Sequence, residues 1–123
     1  MGDVLEQKLN TVKFKKILFG EPAVFFIPAM KINDPKNKSL AEGMHDFLIT
    51  EFGGYTSERG NILGYWREKA STDYTEHVKY IVAFKSKAKL RLLEKFIAEL
   101  AKKLDEKAIY METGNSSWLI YTQ

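Results

Sequence analysis

An α+β fold of the ferredoxin-like kind, βαββαβ with an additional C-terminal strand, is predicted by three features of this 123-residue chain. Two stretches, ending near Phe52 and Leu104, place apolar residues at helical spacing, and strand-like runs separate them. The run Thr75 to Lys85 alternates with the two-residue period of a pleated strand. Gly53-Gly54 and Thr113-Gly114-Asn115-Ser116 supply a helix stop and a hairpin turn. An antiparallel sheet in this order carries both helices on one face. The length suits a single core, assigned to residues 21–123, with residues 1–20 as an N-terminal extension.

Within the extension, Val4, Leu5, Leu9, Val12 and Ile17 can share one helical stripe that Asp3 would cap, while Lys13, Lys15 and Lys16 interleave with Phe14 and Ile17 in a way that equally suits a strand or a loose arm. Ala23 to Met30 (AVFFIPAM) reads as a buried strand. Pro28 cannot donate to a ladder, so that strand's end is expected at an edge or a bulge. Lys31 to Lys38 is a polar loop with turn chemistry at Asn33-Asp34-Pro35. Ser39-Leu40-Ala41-Glu42 matches a capping box, and Leu40, Met44, Phe47 and Leu48 follow at helical spacing to Phe52. Asn61 to Lys69 (NILGYWREK) has strand character, and Ala70 to Tyr74 is a loop or hairpin connection. In Thr75 to Lys85, Val78, Tyr80, Val82 and Phe84 form the inward set. Ser86 can cap the second helix, whose stripe is Leu90, Leu93, Phe96, Ile97, Leu100 and Leu104. Lys107 to Glu112 and Ser117 to Thr122 complete the chain as paired strands.

Composition removes several function classes. Without cysteine there are no disulfides, thiolate metal sites or Cys nucleophiles. His45 and His77 are the only histidines, so a His metal site would need carboxylates to complete it, and neither metal nor cofactor is expected. The net charge of +3 is small and spread along the chain, which is not a nucleic-acid footprint. No apolar run approaches the roughly 18–20 residues of a membrane span, and the start has no basic region leading into an apolar core. A cytoplasmic protein is expected. Phosphate-loop, nucleophile-elbow and zinc signatures are absent, and the strand Thr75 to Lys85 lacks the basic-Gly-aromatic pattern of ferredoxin-like RNA binders.

Three constellations remain, each with two readings. Glu76 and His77 at the start of the long strand suit a base or a cation ligand, or a solvated strand terminus. Tyr55, Tyr65 and Trp66, set among Gly53, Gly54, Gly60 and Gly64, can stack an adenine or face a cation, or fill a sheet face. Lys85, Lys87, Lys89, Arg91 and Lys95 can meet phosphates, or form the wet side of an amphipathic helix.

From Leu40 onward the chain resembles the bacteriophage S-adenosylmethionine hydrolases, now regarded as S-adenosylmethionine lyases. Ile62-Leu63-Gly64-Tyr65-Trp66-Arg67-Glu68 carries the resemblance, followed by Thr75-Glu76, Lys87-Ala88, Ala108-Ile109-Tyr110 and Trp118-Leu119-Ile120-Tyr121, with Phe26-Ile27-Pro28-Ala29-Met30 a weaker match. The chain departs from the family at His77, where a member can carry a second acid. The resemblance implies a PII-like homotrimer that binds S-adenosylmethionine between subunits and cleaves it to methylthioadenosine and L-homoserine lactone. In a phage this would deplete the methyl donor and blunt host restriction. It further implies catalytic roles for Glu76 and Tyr65 and substrate contacts at Trp66, Glu68 and Tyr55, with the adenine near Met30 and Lys31. Alternation lets only one of Tyr65 and Trp66 point at the ligand. The competing expectations are a PII-like module that binds adenine nucleotide or S-adenosylmethionine without turnover, and an interaction protein acting through residues 1–19 or the basic helix face.

Overall fold

The computed structural model describes residues 2–123, the side chain of Glu68 excepted. Its elements in chain order are α1 (Gly2–Asn10), β1 (Glu21–Pro28), α2 (Ala29–Ile32), α3 (Lys38–Phe52), β2 (Thr56–Glu58), β3 (Leu63–Glu68), β4 (Ser71–Phe84), α4 (Lys87–Lys103), β5 (Ala108–Thr113) and β6 (Ser116–Tyr121), with a 3₁₀ turn at Pro35–Asn37. The sheet runs β2-β4-β1-β5-β6, and β3 also pairs with β4. Every pairing is antiparallel. The fold is thus a mixture of helices and antiparallel sheet.

The core follows from strand alternation. Ala23, Phe25 and Ile27 of β1, Val78, Tyr80, Val82 and Phe84 of β4, and Ile109 and Met111 of β5 are buried on one face. Met44, Leu48 and Phe52 of α3 and Leu93, Ile97, Leu100 and Ala101 of α4 join the same cluster. The two helices meet through Phe47 and Phe96, whose rings stack at 4.0 Å. Lys89 at the start of α4 bonds Glu51 near the end of α3 at 2.7 Å. Burial of the Tyr80 hydroxyl pushes its pKa up to about 12.

Helix termini match the residues that favour them. Gly53 caps α3 in the left-handed region (φ 81°), its N–H donating to the Ile49 carbonyl. Ser86 caps α4 by accepting from the Lys89 N–H at 3.2 Å. The Ser39 capping box does not form. Pro35 starts the 3₁₀ turn with the Asp34 carboxylate as its cap, and α3 continues from that turn at Lys38, so Ser39 is already inside the helix. β1 ends at Pro28, not Met30. Pro28 closes a central strand and turns the chain directly into α2 (φ −54°, ψ 123°), which replaces the start of the expected loop.

The first turn of α1 contains Asp3, and the helix buries none of its residues. Gly20 then enters β1 at φ 127°, where an added Cβ would lie 2.5 Å from the Phe84 carbonyl oxygen. The hairpin in the middle of the chain is longer than the sequence suggests. β4 starts at Ser71, so most of the expected Ala70–Tyr74 connection is strand. The pairing of β1 with β4 stops at His77, and Ser71–Glu76 therefore continues past β1 with β3 as its partner. The result is a two-stranded ribbon projecting from the sheet.

Candidate active site

This ribbon carries the two residues expected to be catalytic. Its register pairs Leu63 with Glu76, Tyr65 with Tyr74, and Arg67 with Thr72. Directly opposed residues share a face, so Leu63, Tyr65 and Arg67 lie on one side together with Thr72, Tyr74 and Glu76. Tyr65 and Glu76 are thereby diagonal neighbours on a single face, which continues the side of β4 that carries Val78 and Tyr80. Tyr65 and Tyr74 are 65% and 67% exposed, and Glu76 is exposed too.

Gly64, Trp66, Asp73, Thr75 and His77 occupy the opposite face. Of Tyr65 and Trp66, it is Tyr65 that shares a side with Glu76. On the Trp66 side, the His77 ring lies over Gly64, where an added Cβ would stand 2.9 Å from its Cε1. The ring also meets Phe26 edge-on at 6.3 Å. Burial lowers the His77 pKa below 6.5, against smaller raising effects of the Thr75 backbone and the Glu106 charge.

The remaining candidate residues are distributed more widely. Met30, 84% exposed, sits on α2, and α2 packs against β4. Lys31, also on α2, is already engaged: its Nζ donates to the Asp105 carbonyl at 2.9 Å and faces Glu106 at 3.5 Å, while its carbonyl accepts from Asn37 at 2.8 Å. Tyr55 immediately precedes β2, where Thr56 pairs with Ile81. That register lies five residues along β4 from Glu76, about 17 Å at strand rise. Tyr55 instead hydrogen-bonds His45 at 2.8 Å and its ring lies 6.0 Å from that of Tyr80. One chain therefore does not bring Tyr55 and Glu76 together. The side chain of Glu68 lies outside what is described.

Sequence reasoning passed over Tyr74 and ranked Arg67, with Trp66 and Glu68, below Tyr65. Arg67 is two residues from Tyr65 and so shares its side. Tyr74 was assigned to a connection, where alternation has no meaning. The signal for it was the β-favouring run Ser71 to Thr75, which extends the period of β4 backwards.

The ribbon face is open. Two depressions of about 260 and 270 Å³ lie elsewhere, one between α4 and the chain's end at Tyr121–Gln123, the other among Phe19, Phe52, Gly53, Lys85 and Lys89. Among the described residues, no group of three or more His, Asp or Glu is placed to hold a metal ion, and no helix is long and apolar enough to cross a membrane.

No family model matches the chain, and no curated protein does. Two solved structures match at the level of fold. One is a phage SAM lyase in complex with S-methyl-5'-thioadenosine, with a TM-score of 0.52 and 14% identity over 91% of this chain and 97% of that one. The other is a phage SAM lyase in the apo state, with a TM-score of 0.54 and 12% identity over 91% and 98%. The fold is shared with phage SAM lyases. The resemblance read from short sequence blocks is thus met, at the level of fold, by nearly the whole chain.

Proposed function

We propose that the chain is an S-adenosylmethionine lyase. The observation that carries the reading is the placement of Glu76 and Tyr65 on one face of the ribbon, within a fold shared with phage SAM lyases, one of them solved with S-methyl-5'-thioadenosine. The substrate's carboxylate oxygen attacks its own γ-carbon. The C–S bond breaks, its electron pair stays on sulfur, and methylthioadenosine leaves as a neutral thioether. The other product is homoserine lactone, and no water is consumed. Ring closure is intramolecular, so the protein's task is to hold a bent conformer with the carboxylate near the γ-carbon. Glu76 orients the ammonium or sulfonium, or holds a water. Tyr65 fixes the carboxylate through its hydroxyl or faces the sulfonium with its ring. Opposite charges cancel as the reaction proceeds, so a dry site favours its course. The protein's own groups suffice for this route without metal or cofactor.

The strand order supports a ferredoxin-like, PII-like topology, and the open ribbon supports assembly. A ligand of this size is ordinarily buried over most of its surface, and one copy leaves Glu76 and Tyr65 exposed. A homotrimer would close three equal clefts in which a neighbouring subunit supplies the facing wall. In a phage, the activity would remove the methyl donor used by host restriction and modification.

Incubation with S-adenosylmethionine followed by chromatography tests the reading: methylthioadenosine and homoserine lactone should appear, while binding without products would leave a ligand-binding module. In isotopically labelled water, label in the first-formed homoserine with no lactone would instead indicate hydrolysis. Glu76→Gln should sediment as the wild type does and lose turnover by roughly 100-fold or more. A stable, active monomer would contradict the interfacial site.

A further inference from the structure

Tyr74 faces Tyr65 across the ribbon, with ring centroids 5.8 Å apart and planes inclined by 34°. The pair stands one register step from Glu76 on the same face, and Arg67 lies one step beyond it on the other side. Along this face the order is therefore carboxylate, two rings, guanidinium. Cross-strand aromatic pairs commonly stabilise a hairpin, but each of these side chains leaves about two-thirds of its surface uncovered, at 65% and 67%. Ring faces attract a cation within about 6 Å of their centroid. With the centroids 5.8 Å apart, one cation can stand within that reach of both rings. The Glu76 carboxylate draws that cation to its own side of the pair, and the Arg67 charge repels it from the other.

We propose that Tyr74 is a substrate-binding residue which, with Tyr65, forms a two-ring receptor for a sulfonium centre and makes the site prefer that cation to a neutral thioether. This deepens the proposed function and rests on it. It also gives the site a means of releasing product: cleavage turns the sulfonium into a thioether, and the attraction to the rings disappears with the charge. Because the charge on sulfur falls along the reaction, the rings hold the bound substrate at least as well as its transition state. Losing one ring should then raise KM without lowering kcat.

The test uses wild type, Tyr74→Phe and Tyr74→Leu. Initial rates give kcat and KM for S-adenosylmethionine, and S-adenosylhomocysteine, a neutral thioether, gives a competitive inhibition constant. Unfolding midpoints are measured alongside. Tyr74→Leu should raise KM about tenfold, leave kcat unreduced and move the inhibition constant less than about twofold, whereas Tyr74→Phe should match wild type in all three. Equal weakening of substrate and thioether by Tyr74→Leu would mark Tyr74 as a shape contact and overturn the proposal. So would an unchanged KM, or a loss in Tyr74→Phe as large as in Tyr74→Leu. Those results would leave the proposed function standing. A wild-type chain that neither turns over nor binds S-adenosylmethionine would remove both.

Discussion

His77 follows Glu76 in the chain and faces the other way, and its surroundings predict a pH response. Burial against Gly64 and Phe26 favours the neutral ring, so its pKa in the folded chain is below the ordinary 6.5. Below pH 6.5 the unfolded chain takes up this proton more readily than the folded one. The stability linked to His77 is therefore fully present above that pH and lost as pH falls through the folded pKa. Denaturant midpoints should decline as pH is lowered from 6.5, and His77→Gln, which cannot titrate, should flatten that part of the curve. Gly20 is a second single-residue constraint. Its φ of 127° and the 2.5 Å approach of an added Cβ to the Phe84 oxygen leave no room that a side-chain movement could create. Gly20→Ala should cost about 2 kcal/mol or more in equilibrium unfolding.

At the scale of elements, helix ends give the sharpest expectation. Asp105 follows α4 in the left-handed region, at φ 55°, where its N–H bonds the Lys102 carbonyl and the Glu106 N–H bonds that of Ala101. Glycine reaches this conformation without the Cβ clash and removes a negative charge from a helix C-terminus. Asp105→Gly should stabilise by about 0.5–1 kcal/mol, raising the thermal midpoint by about 2–5 °C. The sequence made α4, the Gly53 stop and the inward set of β4 legible, because each depends on residues within a few positions. The capping box at Ser39 failed for a reason just as local: Asp34-Pro35 starts a turn earlier in the chain, and helix growth overruns the later cap. Glu76 and Tyr65 could be named from sequence, but the pairing of Leu63 with Glu76 was needed to put them on one side. Tyr74 became visible only with that register, which also put Arg67, a weaker candidate from sequence, on the Tyr65 side. Lys31 and Tyr55 are engaged by Glu106 and His45, contacts between separate elements that no spacing rule encodes.

For the molecule as a whole, the helices cover one side of the sheet and leave the other bare. Val24, Phe26 and Ile81 are half-buried there, and Tyr110, Leu119 and Tyr121 remain 39%, 57% and 59% exposed. Exposed apolar side chains sharing one face are what the proposed association of copies would cover. β4 joins this arrangement to the site. A single strand of 14 residues serves the core with its second half and the ribbon with its first. Amide exchange should record that division as a gradient along one continuous backbone: slow from Val78 to Phe84, where β1 and the core hold it, and fast from Ser71 to Glu76, where one neighbour does. Saturation with substrate or product should slow the fast half and leave the slow half nearly unchanged. On that expectation the strand behaves as a cantilever, anchored in the core and free to yield at the end proposed to meet the ligand.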